Sequence, residues 1–229
     1  MTRYHQLFDF LRQWQDNQIT DWLAKHPEQL EEAHRIQREV VQQLLDKVCK
    51  FDASLLGTSA AECIYKVEPD NEQEVALEAF MAKGGIYSEN AGFYLNLRPG
   101  HSFIGLGYIA NTFINGYAIY KEKELYGEDL DYMLHFLTTH CGFEVLNGKQ
   151  AQDLPVTGRL LNLKVQGEAL RPWFLFKYIP NEELMDSQLV NWLAQQYGLL
   201  LSYNQYLNRA LDFYAHTSID DLEDHVDLP

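Results

Sequence analysis

Residues Gly92 to Ile109, GFYLNLRPGHSFIGLGYI, decide how this chain of 229 residues is read. Apolar and polar side chains alternate through FYLNLR, the chain turns at Pro99-Gly100, and glycines recur at 105 and 107. A dinucleotide-binding turn, a nucleophile elbow at Ser102 and a β-hairpin compete for this stretch. Gly105-Leu-Gly107-Tyr-Ile-Ala110 matches G-x-G-x-x-G/A in letters only. That motif needs a βα turn inside a parallel unit, and no strand–helix alternation surrounds it here. A nucleophile elbow needs glycine two residues after the serine, where Ile104 stands. The hairpin remains. With Pro99 fixing φ and Gly100 taking the positive φ of a type II turn, Tyr94 falls opposite Gly105 and Gly92 opposite Gly107. Phe93, Leu95 and Leu97 then share one face with Ser102, Ile104 and Leu106. Tyr94, Asn96 and Arg98 share the other with His101, Phe103 and the two glycines. The Tyr94 ring is expected to cover Gly105. Gly107 and Gly92 leave bare backbone that a helix, a ligand or another chain can approach. Ser102 reads as an ordinary strand residue, so its replacement by alanine should cost little.

Upstream the periodicity is helical. Leu7, Phe10, Leu11 and Trp14 lie on one face of a first helix ended by Asp16-Asn17. Thr20 can cap a short turn carrying Trp22 and Leu23, and Pro27 suits the first turn of a long second helix whose stripe runs from Leu30 through Gln37 to Val48. After the turn signal at 56–59 the period becomes two. Residues 63–67, 76–82, 92–98 and 102–109 read as strands, and their short connections imply an antiparallel meander. Asn115-Gly116 is another hairpin signal, in a segment that suits entry into a helix equally well. Residues 128–139 read as a helix, 146–158 as loop, 159–165 as a strand and 173–179 as a buried strand. Residues 186–215 read as a long helix with a kink or break at Gly198. The fold class is therefore α+β: a mainly antiparallel sheet packed by two N-terminal helices and a long C-terminal helix. It forms one domain over residues 1–215, with an acidic tail at 216–229.

Lys and Arg number 18 against 33 Asp and Glu, a formal charge of −15. A polyanion is repelled by such a chain, so neither nucleic acid nor an anionic membrane is an expected partner. The acid is concentrated around 68–74, 122–131, 182–186 and 220–227. These runs read as solvated loops and helix starts, or as a surface for a basic protein. Cys49, Cys63 and Cys141 are odd in number and far apart, forming neither a disulfide framework nor a zinc site. Glu31-x-x-His34 is a single copy of a pair that di-metal carboxylate sites use twice. His135 and His140, five apart on a helix, do not converge by helical spacing. No metal and no cofactor is expected. The opening MTRYHQLFDFLRQWQ lacks the apolar centre of a secretory signal, and no run reaches the roughly 20 apolar residues of a membrane helix, so a cytoplasmic location is expected.

GFYLNLRPGHSFIGLGY resembles the segment G-Y-Y-L-x-L-x-P-G-x-S-F-x-G-G-G of domain-of-unknown-function family 2461, a widespread family of conserved bacterial hypothetical proteins. FDFLRQWQDNQITDWLAKHPEQLEEA is similar to its opening, ECIYKV to its C-I-F-R-I strand and SYNQYLNRAL to its closing helix. The resemblance covers about residues 7 to 212. It implies no activity, because the family carries no established reaction. Between the C-I-F-R-I and G-Y-Y-L strands, family members typically show a basic segment like Y-R-D-x-R-F-S-x-D-K-x-P-Y-K. This chain has EPDNEQEVALEAFMAKGG instead, so anion binding through those basic side chains is not expected of it.

Two functions compete at this point. The first is a noncatalytic binding or protein-interaction protein whose partner is a basic protein or a second copy of the chain. The second is a small-molecule-binding protein or enzyme using Tyr94, Asn96, Arg98, His101 and Lys177 on one sheet face. There Arg98 would hold a carboxylate and His101 would titrate near neutrality. A concave pocket on that face would favour the second, and a filled or flat face the first.

Overall fold

A computed structural model describes residues 3–17, 22–67, 75–108, 113–146 and 173–214. The opening forms helix α1 (Arg3–Asp16), a four-residue turn α2 (Trp22–Lys25) and the long α3 (Pro27–Val48), which has proline in its first turn. Their expected stripes are the buried ones, from Leu7 to Trp14 on α1 and from Leu30 to Val48 on α3. Gln37 interrupts the apolar stripe of α3 because its Nε2 donates to the Glu78 carbonyl at 2.9 Å, joining helix to sheet.

Residues 63–67 depart from the expected strand. The Ser59 N–H donates to Glu62 Oε2 at 2.8 Å, a capping-box contact that starts the short helix α4 (Ala60–Cys63). Cys63 is thereby helical, and Ile64 meets the sheet only as an isolated antiparallel bridge to Ala79.

The sheet contains β1 (Leu77–Met81), β2 (Gly92–Leu97), β3 (Phe103–Gly107), β4 (Glu144–Val145) and β5 (Leu175–Tyr178). Its order is β1-β2-β3-β5-β4, with every neighbouring pair antiparallel. The hairpin has the expected register: Tyr94 opposes Gly105, Gly92 opposes Gly107, and Gly100 carries φ +75°. Strand β3 is antiparallel to both neighbours, so its glycines belong to no βα turn.

Two details of the hairpin differ from expectation. Ser102 is buried, and its Oγ accepts from the Arg98 N–H at 3.0 Å while donating to the Arg98 carbonyl at 2.7 Å. It clasps the mouth of the turn, so its loss should not be free. Nor does Tyr94 provide the ring over the glycines. A Cβ built at Gly105 would lie 2.4 Å from the Phe174 ring, and one at Gly107 would lie 2.7 Å from it. Phe174, just before β5, occupies the bare backbone.

Helix α5 (Phe113–His140) takes in Asn115-Gly116, which forms no hairpin. Ala118, Ile119, Leu130 and Leu137 are buried along it, and this packing outweighs the local turn signal. A kink at Tyr126 (φ −132°, ψ 34°), next to Gly127, divides the helix. Helices α6 (Asn181–Met185) and α7 (Leu189–Tyr214) complete the described chain, and α7 passes Gly198 without a break.

Helix α7 packs on α5, α3 and β3, and polar side chains tie it to distant backbone. The Tyr197 hydroxyl donates to the Tyr94 carbonyl at 2.7 Å. Asn208 accepts from the Ala91 N–H at 2.8 Å and donates to the Ala91 carbonyl at 3.1 Å. Leu95, Ile104, Leu106 and their neighbours pack with the helices into the main core. On the opposite face Tyr65, Phe80, Tyr94, Phe103, Phe174 and Phe176 form a second one. The strand expected at 159–165 and the tail at 216–229 lie outside the described residues.

Three substitutions test this packing by urea unfolding. Gly107→Val should destabilise by ~1–3 kcal/mol, the usual cost of overpacking. Ser102→Ala should destabilise by ~1 kcal/mol through its lost backbone bonds. Gly198→Ala should stabilise by ~0.5–1 kcal/mol, because a methyl group there meets nothing within 4 Å and alanine favours the helix.

Candidate functional site

The five polar residues grouped by the sequence are divided by the strands that carry them. Asn96 on β2 opposes Glu78 on β1, and the next pair along the same face is Tyr94 with Phe80. The Tyr94 hydroxyl and Asn96 Nδ2 both donate to Glu78 Oε1, the latter at 3.0 Å. All three side chains are buried among the rings of the second core. Charge-assisted hydrogen bonds of this kind stabilise a carboxylate that has lost its water. Asn96 Oδ1 is also buried, with no hydrogen-bond partner. Arg98 lies beyond Asn96 at the end of β2 and is buried as well. Tyr94 and Asn96 therefore do come together, on Glu78 in a filled part of the fold.

His101 and Lys177 do not join them. His101 is exposed at the turn, where its ring meets Tyr178 edge-on with centroids 6.4 Å apart. Lys177 opposes Ile104, which places it on the other sheet face, against the helices. Its ammonium donates to the Cys141 carbonyl at 2.8 Å and to Gln196 Oε1 at 2.9 Å, between the rings of Phe143 and Trp192. Lys177 ties the end of α5 to β5 and α7. The expectation that it shares a face with Tyr94 is thus corrected by the β3–β5 register. Glu78, the acceptor at the centre of the cluster, was missed, although a lone acid in the apolar run LEAFM was the visible signal.

Among the described residues no group of three or more His, Cys, Asp and Glu is arranged to hold a metal ion. His135 and His140 approach each other edge-on, with centroids 6.1 Å apart. Burial pushes the Cys63 thiol up to about 12 and raises that of Cys49, so neither is a ready thiolate near neutrality. Ser102 Oγ is committed to the Arg98 backbone. No helix among the described residues is long and apolar enough to cross a membrane.

A different surface stands out. On the outer side of α5, Leu125 is 67% exposed, Tyr132 74% and Phe136 42%. Tyr132 and Phe136 are one helical turn apart. Glu124, Glu128, Asp129 and Asp131 are exposed around them. Large apolar side chains with a charged rim are the usual composition of a protein contact surface. At the kink in this helix, Arg209 of α7 stacks between the rings of Tyr126 and Tyr206 and donates to the buried Glu122 at 2.6 Å. That contact ties the kinked part of α5 to α7.

Fold and surface together define an α+β protein with an acidic, aromatic helix face. The chain belongs to the family of conserved hypothetical proteins DUF2461, whose family model matches residues 6–206. No curated protein and no solved structure matches it.

Tyr94→Phe should destabilise by ~1–3 kcal/mol, because Glu78 loses a donor where little water can replace it. His101→Ala should change stability by no more than ~0.5 kcal/mol, as exposed positions do. Thermal and urea unfolding of the two variants separates the buried cluster from the exposed turn.

Proposed function

We propose that the chain is a noncatalytic cytoplasmic protein-interaction protein that docks a basic partner on the outer face of α5. The carrying observation is the exposure of Leu125, Tyr132 and Phe136 within an acidic rim. The aromatic side chains supply apolar area, which dominates the energy of most interfaces. The rim, on a chain of formal charge −15, steers a basic surface toward it and disfavours acidic ones. The filled second sheet face and the raised thiol pKa values support a binding role over catalysis.

Affinity capture from the native host tests this reading with wild type, Tyr132→Ala/Phe136→Ala and Glu128→Lys/Asp129→Lys. All four positions are exposed, so the variants should fold as wild type does. A basic protein should be retained by wild type at low salt, released as ionic strength rises, and lost from both variants. Equal retention by wild type and variants would place the contact elsewhere. A dimer that the same substitutions convert to monomer in sedimentation would make the partner a second copy of the chain and overturn the basic-partner reading.

A further inference from the structure

A groove of about 710 Å³ runs between α3 and the segment 61–67, away from α5. Leu23, Leu30, Ile64 and Val67 give it apolar walls. Glu31, His34 and Arg38 enter it from one side of α3 at i, i+3 and i+7 spacing, and Lys66 enters from the facing segment. Its size is that of an ordinary small-molecule site, and its lining is apolar with a few polar groups on one side.

The polar side is incompletely satisfied. Arg38 Nη2 reaches Glu31 Oε1 at 3.0 Å, but Glu31 is 73% exposed, and a pair so open to solvent is weak. His34 Nε2 is buried without a hydrogen-bond partner, a state that buried polar atoms rarely keep unless a ligand or water completes them. Desolvation lowers the His34 pKa, Arg38 and Lys66 push it the same way, and Glu31 opposes them. The imidazole is therefore neutral near neutral pH.

We infer that this groove binds an amphipathic monocarboxylate, its alkyl chain on Leu23, Leu30, Ile64 and Val67 and its carboxylate on Arg38 and Lys66. The bound carboxylate replaces Glu31 on the Arg38 guanidinium, whose planar fork suits two parallel bonds to a carboxylate. An acidic chain attracts cations in general, so a preference for an anion at this one place is a specific expectation.

Titration calorimetry of the whole chain with sodium octanoate, and separately with octylammonium chloride, tests the inference. Octanoate should bind saturably and shift the His34 imidazole resonances, and octylammonium should not compete with it. Arg38→Met/Lys66→Met should weaken octanoate by about tenfold or more, whereas Glu31→Gln, which removes the internal competitor, should tighten it. All three positions are exposed, and circular dichroism should show each variant folded. The α5 variant Tyr132→Ala/Phe136→Ala should bind octanoate as wild type does, which keeps this result independent of the partner-docking reading. Absence of saturation, equal binding of octylammonium, or indifference to the Arg38 and Lys66 substitutions would each overturn the assignment.

Discussion

The seat of Phe174 on the backbone of Gly105 and Gly107 is the contact on which the rest of the sheet depends. The hairpin of β2 and β3 is local and closes through its own turn, but β5 arrives from far along the chain. Its alignment beside β3 is set where one ring fits over two residues that have no side chain. A ring placed there contacts Tyr94 edge-on, with centroids 5.9 Å apart, and so packs against the polar cluster around Glu78. The same alignment fixes which residues of β5 look toward the helices. Lys177 falls on the helix side because Phe176 falls on the other, and with it the end of α5 is tied down.

How much of this was legible depended on whether the deciding contact was local. The register of the 92–109 hairpin could be read directly, since a Pro-Gly turn fixes which residues face each other and a positive φ selects glycine. The stripes of α1, α3 and α7 were equally open, because helical spacing alone names the buried face. The strand expected at 63–67 failed on a signal that was present. Ser59 and Glu62 stand three apart, and their capping contact draws Cys63 into a helix despite the alternation that follows. Asn115-Gly116 is different. Its turn preference is real, and it yields to the burial of Ala118 and Ile119, which no local pattern discloses.

The candidate site was legible only in part for a related reason. Strand alternation shows which residues share a face, and it grouped Tyr94 with Asn96 correctly. It does not show whether that face meets water, and here the Tyr94 and Asn96 side chains are buried on Glu78. Lys177 required the pairing of β3 with β5, which is set by residues far apart in sequence. The α5 surface was anticipated only as acidity around 122–131. The exposed Tyr132 and Phe136 emerge once the other side of the helix is seen packed against α7.

The double hydrogen bond between the Asn208 amide and the backbone of Ala91 bears on how the chain is made. The residue that secures the entrance to β2 lies 117 positions later, near the end of the last helix. Tyr197 reaches back 103 positions to the same strand. During synthesis the hairpin emerges early, while the helix that fastens it is still untranslated. Long sequence separations of this kind slow folding, because loop closure precedes the contacts that reward it. The nascent hairpin therefore has only the helices made before it to pack on until α7 is complete, and closure of the core is a late event that involves both halves of the chain at once.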